Sequence, residues 1–289
     1  MSSSASGAGP HAADATDLSD TTVHRAVAGY VGVVVAALAL TAAVAANTSA
    51  LVLLGATLAG FVAGAAAGGV ASSRVPTLPI HIGRTRYRRG AVVGLAAPFV
   101  AITFAAIFGS VGSQTGLAAI ASAFGIVLAG QWLSSVARTR AVAATVSSKA
   151  LATARWQPPR SPALDWLLLG LWPLVAAMNA YVGDWFSAFI WAGLGLLWAT
   201  SGLIEGRFRL GDTGVDPEIR IYEAGLVKQR PYSATLVSWD DVDHVRLRDG
   251  ELVLERGFFD VRFDQGTLED PKDVLSVIEG QLSRDVRVV

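Results

Sequence analysis

Six apolar runs fill most of residues 26–203, and they constrain the fold more than any other feature of the chain. A helix needs about 20 apolar residues to cross the ~30 Å hydrocarbon core of a bilayer. No run carries a charge near its centre, and none alternates as a barrel strand does. The sequence therefore predicts six transmembrane helices. The runs are Ala26–Ala46, Ala50–Ala71, Ala91–Phe108, Gly116–Val136, Leu164–Val182 and Trp185–Leu203.

Arginines are confined to alternate loops between these runs. The loops 72–90 and 137–163 are basic, whereas 47–49, 109–115 and 183–184 contain neither Lys nor Arg. Short basic loops remain in the cytoplasm, so an even number of spans predicts a multi-pass protein of the cell membrane with both termini cytoplasmic. The arginines that we expect to set this topology are Arg84, Arg86, Arg88, Arg89, Arg138 and Arg140.

Composition divides the chain into three regions. Only 16% of the residues are charged, against about 25% in an average soluble domain. Residues 1–204 hold 11 Lys and Arg against 5 Asp and Glu, whereas residues 205–289 hold 12 against 18. We predict a disordered tail over 1–25, a six-helix transmembrane domain over 26–204 and a cytoplasmic domain over 205–289.

Small residues in the second run predict a helix-packing face. Gly60, Gly64 and Gly68 recur every four residues, which lets another helix approach closely. The partner helix belongs either to the same chain or to a second copy of it, and in the second case the protein would be a homo-oligomer. Pro98 and Pro173 are expected to kink their helices.

The predicted spans lack the ionisable residues that mark ion-coupled transport. Proton relays and ion paths place carboxylates or histidines inside the membrane. Here the main polar interruptions are Asn179 and Gln131. The sequence therefore disfavours a proton- or sodium-coupled transporter, and a passive pore stays open.

After the last run, the hydrophobic pattern changes to the period of two that is typical of strands. Asp249-Gly250 lies between two such segments and is a strong hairpin signal. Asp270-Pro271 suits the start of a helix with an apolar stripe. Expected strand segments are 218–222, 226–230, 234–237, 245–248, 251–255 and 258–263, and the stripe is Val274, Leu275, Ile278 and Leu282.

Two short motifs in this region resemble those of bacterial pleckstrin-homology-like (PH-like) domains. The segment 221–227, IYEAGLV, resembles the family's I-x-E-x-G opening, and 238–245, SWDDVDHV, resembles its W-x-D segment. Gly225, Trp239 and Asp240 are the residues that carry the likeness. The resemblance implies an antiparallel β domain closed by one α-helix, which serves interaction or assembly. This domain is net acidic, so we expect no inositol-lipid binding by its early strands.

No residue pattern predicts catalysis or a cofactor. Cysteine is absent, and the four histidines do not have metal-ligand spacing. Asp240, Asp241 and Asp243 are explained better by helix-turn capping than by a cation. Phosphate-binding loops and nucleophile elbows are absent as well. We predict no catalytic, cofactor-binding or metal residues and no nucleic-acid partner.

Three hypotheses of function follow from the sequence. The first is a membrane-anchored interaction or assembly protein whose PH-like domain binds a protein partner, with the bilayer as its environment. The alternative is a passive channel or facilitator for a small solute, gated by the C-terminal domain. A third is a lipid-modifying enzyme that uses Arg86, Arg88 or Arg89.

Overall fold

Long helices fill the first two-thirds of the chain. The computed structural model describes residues 20–146, 149–158, 161–209, 214–257 and 260–285. Residues 1–19 of the predicted tail lie outside this range, and the first helix begins at Asp20 rather than at residue 26. The helices are α1 (Asp20–Ala45), α2 (Ala50–Arg74), α3 (Leu78–Arg84), α4 (Arg86–Gly94), α5 (Ala97–Ile107), α6 (Ser113–Thr145), α7 (Pro162–Tyr181) and α8 (Trp185–Glu205).

Five of these helices, α1, α2, α6, α7 and α8, are long and apolar enough to cross a membrane. The predicted third span is broken into α4 and α5, which meet at an angle of 42°. Pro98 explains the break, because it has no N–H to donate to the carbonyl of Gly94. Taken as one bent span, this pair raises the number to six.

The glycine face of α2 packs against α1. A Cβ placed at Gly64 would lie 2.7 Å from the carbonyl oxygen of Val31, and one at Gly68 would lie 2.9 Å from the Val31 Cβ. Large apolar side chains of α2 point outward instead, and Leu51 is 83% exposed. Small residues inside and large apolar residues outside are the pattern of helices that pack in lipid. Within the chain, the three glycines therefore serve the contact between α1 and α2.

The arginine-rich segments gather at one end of the helices, which we call the basic end. There, His24 at the start of α1 hydrogen-bonds Ser72 at the end of α2, with 2.7 Å between Nδ1 and Oγ. Asp20 forms an ion pair with Arg140 near the end of α6. The opposite end brings Thr41 to Ser122, 3.2 Å apart. The charge alternation of the loops thus corresponds to two distinct ends of the structure.

A β domain of two antiparallel sheets lies at the basic end. One sheet has the order β1-β2-β3-β4 and the other β5-β6-β7. The C-terminal helix α9 (Pro271–Asp285) completes the domain, so the predicted antiparallel β region with a final helix is confirmed. The strands are β1 (Ala152–Arg155), β2 (Glu218–Tyr222), β3 (Gly225–Arg230), β4 (Ser233–Ser238), β5 (His244–Arg248), β6 (Glu251–Glu255) and β7 (Val261–Asp264).

The first strand comes from ahead of the last helical hairpin. β1 pairs with β2, with Ala152 opposite Ile221 and Arg155 opposite Glu218. The sheet therefore includes residues that the sequence pattern assigned to a loop of the transmembrane domain. In chain order, α7 and α8 are an insertion between two paired strands of the β domain.

Aromatic and aliphatic side chains fill the core of the β domain. Trp156, directly after β1, is 3% exposed and meets Phe263 edge-on, with ring centroids 5.7 Å apart. Val274 and Ile278 of α9 are buried against the same core. Residues on both sides of the α7–α8 insertion thus form one core.

The sheet docks on an extension of α6. This helix continues nine residues beyond the predicted end of its apolar run and carries Arg138 and Arg140 on its last turns. Thr139 Oγ1 accepts a hydrogen bond from the backbone N–H of Ala234 in β4, at 3.0 Å. Ser233 donates to the carbonyl of Ile204 at the end of α8, at 2.9 Å. These contacts attach the β domain to α6 and α8, two of the helices that are long and apolar enough to cross a membrane (membrane-type helices).

Candidate functional site

Two neighbouring cavities lie where the β domain meets the helices. The first has a volume of about 340 Å³ and lies between α4, α6, the end of α8 and β3. The second, of about 400 Å³, lies between α3, α6, β4 and the end of β6. Arg89 and Arg138 line both. We call the two cavities together the junction site.

Five arginines, each from a different part of the fold, line the junction site: Arg84, Arg89, Arg138, Arg230 and Arg256. Arg89 and Arg230 lie close enough to Arg138 to repel it electrostatically. Burial lowers the pKa of Arg230, and Glu205 partly offsets that effect. Like charges are held together here at the boundary between the helices and the sheet.

Acidic residues only partly balance this charge. Glu205 forms an ion pair with Arg207 at 2.9 Å, and Asp241 forms one with Arg256 at 2.9 Å. Within the described ranges, no carboxylate forms an ion pair with Arg84, Arg89 or Arg138. Arg89 instead donates to the carbonyl of Gly83, at 3.2 Å. The junction site therefore carries excess positive charge.

Several polar atoms at the first cavity are buried without a hydrogen-bond partner in the described chain. They are Ser134 Oγ, Arg138 Nε and Arg230 Nε. Such buried donors are normally satisfied in proteins. Guanidinium and hydroxyl donors around a cavity of this size are suited to bind an oxyanion.

A small apolar cavity adjoins the first basic one. Its volume is about 130 Å³, and it lies between α6 and α8. Gln131 and Ile204 line both cavities. The remaining lining of the apolar cavity includes Leu128, Trp132 and Leu203. A charged compartment and an apolar compartment thus share a wall.

A separate groove of about 540 Å³ runs between β5 and α9, on the other sheet. Val245 and Arg246 line it from the strand, and Glu279, Leu282 and Ser283 line it from the helix. β5 is an edge strand of its sheet, with β6 as its neighbour. This groove is the second candidate site.

The six topology arginines have different surroundings at the basic end. Arg84, Arg89 and Arg138 line the junction site. Arg86 stacks on Tyr87, with 5.2 Å from the guanidinium carbon to the ring centroid. Arg88 donates to the carbonyl of His81 at 3.1 Å. The sequence pattern thus marked part of the junction site but missed Arg230 and Arg256, which the β domain supplies.

Two of the three residues that carry the PH-like likeness, Gly225 and Trp239, have structural contacts. Gly225 begins β3 with φ +150°, where a Cβ would overlap the Val237 carbonyl. Trp239 is buried and donates from Nε1 to the carbonyl of Tyr222, at 2.9 Å. Asp240 is exposed in a short 3₁₀ turn. Gly225 and Trp239 thereby link the β2–β3 turn to the end of β4.

The two polar residues considered for a pore lie far apart. Asn179, near the end of α7, donates to the carbonyl of Val175 in its own helix, at 2.8 Å. Gln131 accepts a hydrogen bond from Thr200 at 3.3 Å. Asn179 lies near the turn between α7 and α8, and Gly116 of α6 lies beside the same turn, close to Phe186. Gln131 follows Gly116 by 15 positions on α6, which is roughly 22 Å at 1.5 Å per residue. The structure does not bring the two side chains together.

No cluster of three or more His, Cys, Asp or Glu side chains suited to a metal ion occurs in the described part of the chain. No family model matches the chain, and neither does any curated protein or solved structure.

Lys228 in β3 is the most unusual titratable group of the β domain. Its Nζ lies 4.1 Å from the Trp156 ring centroid and 4.8 Å from that of Phe263. Burial, reinforced by repulsion from Arg230, lowers the pKa of Lys228 to about 8. The ring faces act in the opposite direction, since they attract the cation. Lys228 therefore belongs to the core of the domain rather than to an exposed basic patch.

Proposed function

We propose that this chain is a multi-pass membrane protein that presents a PH-like β domain at the cytoplasmic face for protein interaction or assembly. The five or six apolar helices support the membrane location. The arginines of the basic end support the cytoplasmic orientation of both termini, because basic loops stay inside. The strand order and closing helix are compatible with a PH-like fold.

The observation that carries the interaction role is the open edge of β5 beside α9. Arg248 and Glu251 flank the two-residue turn and pair with each other, so the backbone N–H and C=O groups of Arg248 point towards β6. Alternation along an antiparallel pair then directs the N–H groups of Val245 and Leu247 away from β6. An extended segment of a partner can add to such an edge through its backbone.

The docking of the β domain supports the same role. Two hydrogen bonds, from the Ala234 N–H to Thr139 of α6 and from the Ser233 hydroxyl to the carbonyl of Ile204 in α8, attach the β2–β4 side of the domain to the helices. β5 belongs to the other sheet, and the groove that it forms with α9 is lined by residues of β5, β6 and α9 together with Asp243, which directly precedes β5. Membrane attachment and partner binding thus use different surfaces.

Photocrosslinking in cells that produce the full-length protein tests this proposal. A photoreactive residue replaces Ser283, which is exposed in the groove, or Glu223, which is exposed at the β2–β3 turn. We expect a discrete protein adduct, identifiable by mass spectrometry, from position 283 and none from position 223. Adducts of equal intensity at both positions, or none at either, contradict the proposal.

A proline variant sharpens this experiment. Val245→Pro removes an outward N–H, and proline is tolerated on edge strands in that orientation. Val245 also packs against the core, so the melting temperature should fall, but the adduct at position 283 should be lost at temperatures at which the variant is still folded. An adduct that survives the substitution would show that the partner does not add to β5.

A further inference from the structure

The junction site has features of a lipid site that are independent of the β5–α9 groove. Its first cavity is lined by Arg89, Arg138 and Arg230, together with Ser134. Two of these guanidiniums and the serine hydroxyl hold buried donor atoms without a partner in the described residues. The donors belong to α4, α6 and β3, so the docking of the β domain on the helices creates this cavity.

A phosphate group matches this arrangement. Arginine presents planar donors that pair with phosphate oxygens, and such charge-assisted bonds are stronger than neutral ones. An anion would also relieve the repulsion that Arg89 and Arg230 exert on Arg138. The net acidity of residues 205–289 argued against inositol-lipid binding by the early strands. The junction site differs from the rest of that domain, because five arginines line it.

The adjoining apolar cavity distinguishes a lipid from a free anion. Leu128, Trp132 and Leu203 line it between α6 and α8, and it meets the basic cavity at Gln131 and Ile204. Trp132 is half exposed on the outer surface of α6. A molecule with a phosphate and an acyl chain would fill both compartments, whereas inorganic phosphate would fill one.

We propose that the junction site binds one anionic phospholipid, with its phosphate among Arg89, Arg138 and Arg230 and an acyl chain in the apolar cavity between α6 and α8. Because the phosphate contacts both α6 and β3, the lipid would join the helices to the β domain. Docking of that domain would then depend on the lipid composition of the membrane.

Native mass spectrometry of the full-length protein in detergent, titrated with phosphatidylglycerol, tests the proposal. We expect one saturable adduct per chain, which phosphatidylcholine does not form. Arg138→Gln should weaken phosphatidylglycerol binding by about tenfold or more, as expected for the loss of a hydrogen bond to a charged group. If this variant fails to give a monodisperse protein, Arg230→Gln serves in its place.

Arg86→Gln is the matched control, since Arg86 is exposed in the same basic segment and lines neither cavity. Its effect on phosphatidylglycerol affinity should stay within about twofold, as for other exposed charges. If Arg86→Gln weakens binding as much as Arg138→Gln, binding reflects general surface charge and the proposed site is wrong.

Inorganic phosphate distinguishes the two sources of the anion. A lipid site predicts that phosphate at the same concentration raises the melting temperature much less than phosphatidylglycerol does. Leu203→Trp, which narrows the apolar cavity, should weaken the lipid adduct and leave any phosphate effect unchanged. Equal stabilisation by phosphate and lipid, or a lipid adduct insensitive to Leu203→Trp, would overturn the assignment of the acyl chain.

Discussion

The hydroxyl of Thr139 in α6 accepts a hydrogen bond from the backbone N–H of Ala234 in β4, at 3.0 Å, and donates one to the carbonyl of Ser135, at 3.1 Å. Thr139 and Ala234 are both buried. One side chain thus satisfies a strand amide that faces a helix instead of another strand. This contact connects the membrane-type helices to the β domain.

Thr139→Val should weaken the docking of the β domain. Valine keeps the shape but leaves the Ala234 N–H buried and unsatisfied, which costs about 1–3 kcal/mol. Thermal unfolding of the full-length protein in detergent measures the loss. Thr139→Ser keeps the hydroxyl and is the control. An equal loss in both variants would show that packing of the threonine methyl, rather than the hydrogen bond, stabilises this contact.

A methyl group at Gly64 should disturb the packing of α1 on α2. The added Cβ would lie 2.7 Å from the carbonyl oxygen of Val31 and 2.9 Å from the side chain of Val35. The helices would have to separate, so Gly64→Ala should destabilise the protein by about 1–3 kcal/mol.

Gly69 in the same helix provides the control for Gly64→Ala. A Cβ there meets no atom within 4 Å, and alanine favours the helix over glycine. The melting temperature of Gly69→Ala should therefore equal or exceed that of the wild type. If both variants lose the same stability, the glycine face does not set the α1–α2 distance.

Local signals predicted most of the later strands, although the last one, expected over 258–263, is β7 (Val261–Asp264), and residues 258 and 259 lie outside the described part of the chain. The predicted limits of β2 and β6 agree with Glu218–Tyr222 and Glu251–Glu255, because alternation and the Asp249-Gly250 turn are encoded within a few residues. β1 gave no comparable signal. It has four residues, two of them alanine, and its partner lies more than 60 positions later in the chain.

The junction site could be predicted only in part for a similar reason. Arg89 and Arg138 were identified through the topology rule, which depends on composition alone. Arg230 ends β3 and Arg256 directly follows β6, and their approach to Arg138 follows from how the β domain docks on α6.

Lys228 should make stability depend on pH in the alkaline range. Its pKa falls from the ordinary value of 10.5 to about 8 in the folded protein. Between about pH 8 and 10.5 the unfolded chain therefore binds the additional proton, so the free energy of unfolding rises with pH across this window. The gain in the free energy of unfolding is lost as pH falls towards 8, and below pH 8 Lys228 changes the free energy of unfolding little.

Lys228→Met isolates the effect of the amine. Methionine has a similar length and no titratable group. From pH 8 to 10.5 the free energy of unfolding of the wild type should therefore rise relative to that of the variant. Thermal or denaturant unfolding at several pH values measures this difference. A constant difference would mean that the Trp156 and Phe263 rings hold the Lys228 pKa near its ordinary value.

The pairing of β1 with β2 predicts that the β domain needs residues from before α7. A fragment of residues 205–289 lacks β1 and Trp156, and the loss of a buried tryptophan costs about 3–5 kcal/mol. That is a large share of the roughly 5–15 kcal/mol that stabilises a typical domain. Such a fragment should therefore unfold without a cooperative transition.

Restoring the strand should restore cooperative folding. In the full chain Pro158 lies beside Gly206, since its Cγ is 3.4 Å from the position of a Cβ there. The α7–α8 hairpin therefore leaves and re-enters the β domain at neighbouring points, and a flexible linker of about ten residues can join 149–158 to 214–289. This fragment should show mixed sheet and helix circular dichroism and a sharp melting transition, which Trp156→Ala in the same fragment should weaken. If the fragment 205–289 melts as sharply and at the same temperature, β1 is dispensable and α7–α8 is not an insertion in a folding unit.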